Sequence, residues 1–426
     1  MKYEEIVQTI EKKRRFGEKC GREIIESVLP VVDHPDLGMK IIHVAGTNGK
    51  GQTSVYIAGI LQAAGMNTGL FISPHLQDFT ERISVNGQHI SKKDVTRLGN
   101  RLLDMDWPEE GTMFDYCLLM ALLYFQEKKV DYVVLETGLG GRLDATRGIK
   151  ETPVISVITN IGLDHTAILG ETVEEIAREK AGILRPGTLA VLSEMPEEAE
   201  EEIAKVARHL GVKYITLSEM EGRGKSSFDH TDRALPDIKG TFQRINAACA
   251  ALAIRMLYDK DADLREKVTA VQISQAIEEG LRKTVWPGRL EIVGYNPLFI
   301  LDGAHNPQGA TALSDSLKAM FPGKRFLFMC GFLADKDYEK MVEDMEPLSD
   351  GFYTLTPPGE RGLNAALLAD KIKGHGIFAE ACVDFQSGYE KVKKIAKETG
   401  RGIVVYGSLY LIGEVREWIS KQEGKL

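Results

Sequence analysis

The sequence predicts an α/β protein with a parallel central sheet in a first domain and a second, smaller α/β domain. Short apolar runs alternate along the chain with longer amphipathic segments, which is the order expected when helices connect parallel strands. The runs at 131–135 and 153–159 are almost continuously apolar, which is typical of strands that helices cover on both faces. The same alternation restarts after Trp286-Pro287-Gly288 and predicts the second domain.

The chain has 426 residues, which is more than one hydrophobic core usually supports. The predicted strands lie at 40–45, 68–72, 131–135, 153–159, 188–192 and 213–217, and then at 298–301, 325–330, 351–355 and 402–406. Residues 273–281 have the pattern of a helix that closes the first domain, and Pro and Gly interrupt the periodicity beyond it. We expect the boundary within 284–296 and assign domains 1–288 and 289–426. The polar residues 219–241 are predicted to be an excursion on the first domain.

The composition limits the class of protein. A net charge of −9 argues against non-specific nucleic-acid binding, because a polyanionic partner calls for an excess of basic residues. The five cysteines are odd in number and form no CxxC pair, which is typical of reduced thiols in a cytoplasm. The N-terminus has no apolar leader, and no apolar run approaches the roughly 18 residues of a membrane helix. We expect a soluble, cytoplasmic protein.

A glycine loop lies between the first predicted strand and a helical segment and has the sequence Gly46-Thr47-Asn48-Gly49-Lys50-Gly51-Gln52. Glycines let backbone N–H groups turn toward an anion, the following helix adds its positive dipole end, and Lys50 can reach a terminal phosphate. The common pattern has glycine at Val44 and Ser or Thr at Gly51, so a magnesium-binding hydroxyl must come from elsewhere, such as Thr53. The alternative is a glycine turn with a surface lysine, which this strand-loop-helix context disfavours.

Three further predicted strands end in polar side chains that Mg2+ can use. Ser73, Glu136 and His165 follow the apolar runs at 68–72, 131–135 and 153–159. The carboxyl ends of parallel strands meet at one edge of a sheet, where α/β proteins bind ligands. Each residue also has a structural explanation: Ser73 as the cap of a turn, Glu136 as the partner of Arg142, and His165 as a residue at a helix start. Their joint placement favours a metal and phosphate site.

Lys180 is expected on the inward face of a helix. Thr172 and Glu175 form a capping-box pattern, and Lys180 follows the apolar Val173 and Ile176 at helical spacing. Burial lowers the pKa of a lysine, which makes a neutral amine available for chemistry. The alternative is a lysine that snorkels to solvent and pairs with a carboxylate. The residues alone favour that alternative.

The second domain offers a smaller set of candidates. Arg289 lies at the proposed junction, where an arginine can stabilise a transferring phosphoryl group. Asp302 and His305 follow the predicted strand 298–301. Ordinary turn chemistry before Pro307 is the alternative for Asp302 and Asn306.

These residues together resemble the folylpolyglutamate synthase and dihydrofolate synthase branch of the Mur ligases, nearly from end to end. The segments that carry the resemblance are His43–Gly51, Ile72–Leu76, Glu81–Ile83, Glu136–Thr146, Glu179–Ile183, Leu301–Pro307 and Gly407–Tyr410. Mur ligases of peptidoglycan synthesis have a third, N-terminal substrate domain, whereas only about forty residues precede the glycine loop here. The resemblance implies a P-loop ATPase-like first domain, a Rossmann-like second domain, and ATP and Mg2+ as cofactors.

The resemblance also implies a role for each matching position. The whole loop Gly46–Gln52 matches the phosphate site, with Lys50 catalytic, and the nucleotide contacts match Asn246, Arg289 and Asp302. The metal positions match Ser73, Glu136 and His165, and Lys180 matches a lysine whose carbamate helps to hold a second metal. Substrate positions match Arg82, His305 and Ser408. The resemblance also implies that Lys180, His165 and Arg289 are catalytic. It therefore favours a functional role for the inward lysine over the structural alternative.

The implied reaction is the phosphorylation of a pteroate or folate carboxylate by ATP, followed by attack of the L-glutamate amine to form an amide. The expected substrates are L-glutamate and dihydropteroate or a reduced folate, and the expected state is a monomer. Gln52, Arg147 and Phe242 depart from the family pattern, and the first departure affects the loop's own contact with Mg2+. Three other functions compete: a GTPase-type switch, for which no Asn-Lys-x-Asp segment is present, a peptidoglycan Mur ligase, and a non-catalytic nucleotide-binding module.

Overall fold

The structure, a computed structural model, describes residues 1–13, 20–222, 238 and 240–423. The chain divides into two compact units, Met1–Ile238 with Gln243–Thr284 and Lys239–Phe242 with Val285–Leu426. The division at Thr284 falls a few residues before the boundary assigned after residue 288. Residues 239–242 group with the second unit although the assigned first domain includes them. Most of the predicted excursion at 219–241 lies outside the described residues.

The described residues of the first unit form a sheet of eight strands: β1 Lys40–Ala45, β2 Thr68–Phe71, β3 Ile83–Val85, β4 Gln88–His89, β5 Tyr132–Glu136, β6 Ile155–Ile158, β7 Leu189–Leu192 and β8 Lys213–Thr216. Their order across the sheet is β4-β3-β2-β5-β1-β6-β7-β8. The six strands from β2 to β8 in this order are parallel, and β3 and β4 add an antiparallel edge. Asn86 and Gly87 connect that hairpin with positive φ, as an Asn-Gly turn favours.

The helices around this sheet are α1 Tyr3–Glu11, α2 Gly21–Val28, α3 Lys50–Ala63, α4 Lys92–Leu103, α5 Met113–Lys128, α6 Thr166–Leu169, α7 Val173–Ala181, α8 Glu197–Leu210, α9 Leu217–Gly222, α10 Thr241–Lys260, α11 Ala262–Lys267 and α12 Ala270–Lys283. Capping boxes begin α5, α7 and α12, so the sequence marks these starts locally. One apolar cluster joins α5 to Phe71 and Leu135, and another joins α7 and α8 to Ile158 and Leu192. The central strands are thus buried by helices, as their apolar runs predicted.

The second unit has its own six-stranded sheet, formed by β9 Glu291–Tyr295, β10 Leu298–Leu301, β11 Phe326–Cys330, β12 Ser349–Thr354, β13 Ala379–Ala381 and β14 Gly402–Tyr406. The order is β13-β12-β11-β14-β10-β9, and only β9 runs antiparallel to its neighbour. Its helices are α13 Pro307–Met320, α14 Tyr338–Met345, α15 Ala365–Gly374, α16 Phe385–Thr399 and α17 Leu409–Glu423. A separate apolar cluster, with Phe328 and Leu313 fully buried, forms its core.

The predicted α/β class is confirmed, and every predicted strand is present close to its expected bounds. The strands β3, β4, β9 and β13 were not predicted. Among the described residues, no helix has the length and apolar character needed to cross a bilayer.

Candidate active site

The glycine loop connects β1 to α3 in the predicted strand-loop-helix arrangement, and two of its glycines are required by close contacts. Gly46 has φ +150°, and a Cβ atom there would lie 1.8 Å from Thr159 Oγ1. Gly49 has φ +87° and is the N-cap of α3, and a Cβ atom there would lie 2.4 Å from Asn246 Oδ1. No other residue type fits these backbone positions without displacing a neighbour. The loop therefore presents backbone and the N-terminus of a 14-residue helix to an incoming group.

The segment after β6 holds this loop in place. The Thr47 N–H donates to Asn160 O at 2.8 Å, and the Thr47 hydroxyl donates to Gly162 O at 3.0 Å. The Thr159 hydroxyl donates to Asn48 O at 2.7 Å. The loop conformation is thus fixed by backbone and hydroxyl contacts from a neighbouring strand end, which preorganises it for binding.

Lys50 and Lys180 both donate to one carbonyl oxygen, that of Gly46, at 3.0 and 2.8 Å. Lys50 also donates to Thr47 O at 3.2 Å. Lys180 lies on α7 and is 4% exposed, so the interpretation as a lysine that snorkels to solvent is wrong. Lys180 lies on the inward face of α7, where its Nζ donates a hydrogen bond to a backbone carbonyl of the loop. Burial, and then the charge of Lys50, lower the pKa of Lys180 to about 7.

Ser73 and Glu136 lie together at the ends of the neighbouring strands β2 and β5. The Ser73 N–H donates to Glu136 Oε2 at 2.9 Å, and Glu136 is 4% exposed. Arg142, the alternative partner considered for Glu136, instead forms a salt bridge with Glu179 at 2.7 Å. The pair thus offers a buried carboxylate and a hydroxyl at the same sheet edge as the glycine loop.

His165 precedes α6 in a left-handed backbone conformation, with φ 52°. Its backbone N–H donates to Asp164 Oδ1 at 2.9 Å, and its ring Nε2 lies 3.9 Å from the same oxygen. Within the described part of the chain, no three or more His, Cys, Asp or Glu side chains converge as a ready-made metal cluster. A metal here must therefore use other ligands as well, such as a hydroxyl and water.

Arg82 lies beside the loop that contains Ser73. Its Nε donates to His75 Nδ1 at 2.9 Å, and both burial and the charge of Arg82 lower the pKa of His75 to about 4. The Glu81 carboxylate accepts hydrogen bonds from the N–H groups of Leu76, Gln77 and Asp78 at 2.6, 2.9 and 2.8 Å. These contacts fix the loop and hold Arg82 largely buried within it.

Asn246, on α10, meets the start of α3. Its Nδ2 donates to Gln52 Oε1 at 2.8 Å, and both side chains are buried. The side chain of Gln52, which departs from the family pattern, is therefore hydrogen-bonded to Asn246. The Thr53 hydroxyl, the suggested substitute, is buried and has no hydrogen-bond partner among the described residues.

In the second unit, the predicted residues Arg289, Asp302 and His305 lie close together around Gly303, just after β10 ends. A Cβ atom on Gly303 would lie 1.8 Å from Arg289 Nη1. The Asp302 carboxylate accepts from the N–H groups of Leu290 and Ala304 at 2.7 and 2.8 Å. Burial raises the pKa of Asp302, and the charge of Arg289 opposes that rise.

The remaining predicted residues of this unit flank the same turn. His305 Nδ1 lies 2.8 Å from Gly303 O, and Ser408 is buried in the loop after β14. Asn306 has the turn role considered for it, because its side chain caps α13 by accepting from Gly309 N–H at 2.8 Å.

In the first unit, three buried polar residues were not given a role from the sequence: His43, Thr146 and Asp144. They form a continuous hydrogen-bonded chain beneath the loop that follows Glu136. The available signal was His43, a polar side chain between the apolar pairs Ile41-Ile42 and Val44-Ala45 of β1. Of the other departures, Arg147 donates to Gly182 O at 2.9 Å and Phe242 packs against the core of the second unit.

Comparisons with known proteins agree along the whole chain. The Mur ligase middle domain matches residues 44–253, and the Mur ligase glutamate ligase domain matches residues 288–409. A dihydrofolate synthase/folylpolyglutamate synthase of Bacillus subtilis (strain 168) is 34% identical and covers 97% of this chain and 98% of its own length.

Solved structures of the same family are similar to this chain over nearly its whole length. E. coli FolC in complex with DHPP and ADP superposes with a TM-score of 0.82, at 28% identity over 99% of this chain and 98% of its own. The bifunctional folylpolyglutamate synthase/dihydrofolate synthase of Yersinia pestis, complexed with AMPPNP and Mn ion, gives a TM-score of 0.81 at 29% identity, with 98% of each chain covered.

Proposed function

The chain belongs to the folylpolyglutamate synthase and dihydrofolate synthase family of Mur ligases, and we propose from this premise how its residues carry out the reaction. The protein is an ATP-dependent ligase that joins L-glutamate to folates. The observation that supports the assignment of residues is the glycine loop, with Lys50 and Lys180 on one carbonyl and Asn246 against Gly49. Such a loop suits the phosphate chain of ATP.

The enzyme uses ATP and a divalent metal ion. The residues present fit Mg2+, because it prefers oxygen ligands, keeps several waters and needs few protein groups. Ser73, Glu136 and His165 would hold the ion, and the adjacency of Ser73 and Glu136 supports this choice. When bound, the ion neutralises charge on the phosphate oxygens.

We expect Glu136→Gln and His165→Ala each to raise the Mg2+ concentration needed for half-maximal activity, and an unchanged Mg2+ titration in both variants would refute the assignment.

The reaction has two steps. A carboxylate oxygen of the acceptor attacks the γ-phosphorus of ATP, ADP leaves, and an acyl phosphate forms. The amine of L-glutamate then attacks the acyl carbon, inorganic phosphate leaves with the C–O bond electrons, and the amine loses a proton to give the amide. Lys50 and Arg289 would stabilise charge on the transferring phosphoryl group, which is where such enzymes gain most of their rate.

The second unit is assigned the remaining contacts on the strength of the family resemblance. Arg289 and Asp302 would contact the nucleotide, and His305 and Ser408 would receive L-glutamate. Arg82, in the first unit, would contact the acceptor. The convergence of Arg289, Asp302 and His305 on one turn supports their acting together.

Lys180 is assigned a carbamate. Its neutral amine would attack dissolved CO2, form an N–C bond and release a proton, and the resulting anion would serve as a ligand for a second metal. A buried lysine with a lowered pKa is suited to this reaction.

We expect the Lys180→Ala variant to lose ligase activity and added acetate or formate to restore part of it. We expect neither anion to restore the activity of the Lys180→Arg variant. A plain amine in mass analysis under bicarbonate, together with an active Lys180→Ala variant, would refute this assignment.

The acceptor is proposed to be dihydropteroate, a reduced folate, or both. The test is mass analysis of products formed from ATP, L-glutamate and either dihydropteroate or tetrahydrofolate in separate reactions, with a UDP-sugar peptide as the control acceptor. We expect products one glutamyl residue heavier with one or both folates and none with the UDP-sugar peptide. ADP release without any glutamylated product would contradict the proposed reaction.

The protein is further proposed to act as a cytoplasmic monomer. All five of its cysteines are free thiols in the structure, which suits a reducing compartment. Sedimentation of the purified enzyme at working concentration gives the oligomeric state directly, and a stable dimer would contradict the proposal.

A further inference from the structure

His43 lies in the middle of β1, fully buried, three residues before the glycine loop begins. Its direct neighbours across the sheet are Leu135 on β5 and Ser156 on β6. An imidazole at such a position needs a partner, because an unsatisfied buried polar group costs free energy. The partner is Thr146, whose Oγ1 lies 2.7 Å from His43 Nε2.

The direction of each hydrogen bond follows from Asp144. Its carboxylate accepts from Gly138 N–H at 3.0 Å, Leu139 N–H at 2.9 Å and Thr146 N–H at 3.0 Å, and from the Thr146 hydroxyl at 2.5 Å. Burial raises the pKa of Asp144, whereas four converging donors favour its charged form. The single hydroxyl proton of Thr146 is thus directed at Asp144, so Thr146 Oγ1 must accept from His43.

His43 is therefore a neutral imidazole with its proton on Nε2. Burial, and then the charges of Arg185 and Arg147, lower the pKa of His43 to about 3, in agreement with the neutral form. Its Nδ1 is buried without a hydrogen-bond partner among the described residues. An apolar side chain here would avoid the free-energy cost of an unbonded Nδ1. The feature that an apolar residue could not supply is the hydrogen bond that His43 donates to Thr146.

The segment that this chain of bonds holds, residues 137–146, follows Glu136 and is hydrogen-bonded to the helix that carries Lys180. Glu136 directly precedes the segment, and Asp144 draws its two ends together through Gly138, Leu139 and Thr146. The same segment is attached to the helix of Lys180, because Arg142 N–H donates to Glu179 O at 2.8 Å. Arg147, just beyond it, donates to Gly182 O on the other side of Lys180.

We propose that His43 is a positioning residue for the ligase reaction: through Thr146 it orients Asp144, and with it the segment 137–146 that sets Glu136 and Lys180 beside the glycine loop. The inference rests on the proposed function of Glu136 and Lys180. His43 is fully buried within β1, and we assign it no contact with nucleotide or acceptor. It acts through the hydrogen bond donated from the strand that leads into the loop.

The test compares variants that keep or remove each bond. His43→Gln retains an N–H near the position of Nε2, whereas His43→Leu removes it, and Thr146→Ser retains the hydroxyl that Thr146→Val removes. We expect His43→Leu and Thr146→Val each to lower kcat by about 10-fold to 100-fold, as losses of orienting partners behind metal ligands do. The KM for ATP should change less than about twofold, because the glycine loop is unaltered. His43→Gln and Thr146→Ser should retain most of the activity.

Two further readouts separate positioning from simple stability. Amide hydrogen exchange at Gly138, Leu139 and Thr146 should accelerate in His43→Leu and Thr146→Val, and remain slow in His43→Gln. The double variant His43→Leu/Thr146→Val should be no worse in kcat than Thr146→Val alone, because loss of the Thr146 hydroxyl already removes both the bond to His43 and the bond to Asp144. Should His43→Leu fail to fold, Thr146→Val makes the same comparison.

The matched control is Thr354→Val, which removes a buried hydroxyl bonded to Ala365 O at 2.7 Å in the second unit. It should lower Tm without changing kcat or exchange in segment 137–146. The proposal is overturned if exchange at the three amides is unchanged, if the two losses in kcat multiply in the double variant, or if Thr354→Val loses as much kcat at equal Tm. Absence of glutamate ligation in the unaltered enzyme would instead overturn the proposed function, while the exchange measurements still decide the role of His43.

Discussion

At the residue scale, the amino groups of Lys50 and Lys180 both donate to the Gly46 carbonyl oxygen. Burial, and then the nearby charge of Lys50, disfavour protonation of Lys180, which is why the pKa of Lys180 falls to about 7. An anion at the loop would offer both lysines a stronger partner than a carbonyl. The arrangement therefore suits a site that receives phosphate.

Replacement of Lys50 by alanine should abolish most ligase activity and leave the fold intact, because the hydrogen bonds of its amino group within the described residues go to backbone carbonyls of its own loop. Loss of a main phosphate contact should cost on the order of 2 to 4 kcal/mol in the transition state. The measurements are kcat/KM for ATP and Tm. Lys318→Ala, an exposed lysine of the second unit, is the control. Activity within about threefold of the unaltered enzyme would argue against the role of Lys50.

Lys180→Met should stabilise the enzyme at pH 6, in the absence of metal and bicarbonate. The folded-state pKa is about 7 and the ordinary value is 10.5, so the unfolded state binds more protons between these values. The buried lysine therefore costs stability below pH 7, by up to about 5 kcal/mol, and this cost falls as pH rises from 7 to 10.5. Denaturant unfolding of both proteins across this range measures the difference. A difference in unfolding free energy that does not vary with pH would contradict the burial of a titrating amine.

At the scale of elements, the glycine loop is a rigid connection between β1 and α3 rather than a flexible turn. The position of Gly46 beside Thr159 leaves no room for a side chain, and Thr159 in turn holds Asn48. The glycine loop and the segment after β6 are therefore held against each other by close packing and hydrogen bonds.

Gly46→Ala should disrupt nucleotide binding more than global stability would explain, because its Cβ atom would lie 1.8 Å from Thr159 Oγ1. Gly211→Ala is the matched control, since Gly211 also has positive φ but faces open space. The control should lose only about 1 to 2 kcal/mol through backbone strain and bind nucleotide normally. Calorimetric titration with a non-hydrolysable ATP analogue measures the affinities. Equal affinities in the two variants would show that the loop tolerates displacement.

The elements that the sequence predicts correctly are those with a strong local signal. The strands around β1 are apolar for several residues, and the start of α7 carries a capping box, so both are visible without tertiary contacts. The edge strand Gln88–His89 is polar and exposed, and its pairing depends on β3, so no apolar pattern marks it. Helical spacing places Lys180 inward, but its acceptor at Gly46 is distant in sequence. The bond from His43 to Thr146 is likewise fixed by the fold and not by spacing.

At the scale of the whole molecule, the two compact units have separate sheets and separate apolar clusters. A unit with its own core can unfold as its own cooperative transition. The glycine loop, Lys180, Ser73 and Glu136 all belong to the first unit. Ligand binding at the loop should therefore stabilise that unit directly, by an amount set by ligand concentration relative to Kd.

Calorimetric unfolding should accordingly resolve two transitions that core substitutions shift separately. Leu119 and Leu313 are fully buried in the first and second clusters, and each change to alanine should cost about 2 to 5 kcal/mol in its own unit. Leu119→Ala should lower one transition, and Leu313→Ala the other. A non-hydrolysable ATP analogue with Mg2+ at 100 times its Kd should add about 2.7 kcal/mol to the transition that Leu119→Ala lowers. If both variants shift one common transition equally, the two cores unfold as a single cooperative unit and the separation of the clusters has no thermodynamic counterpart.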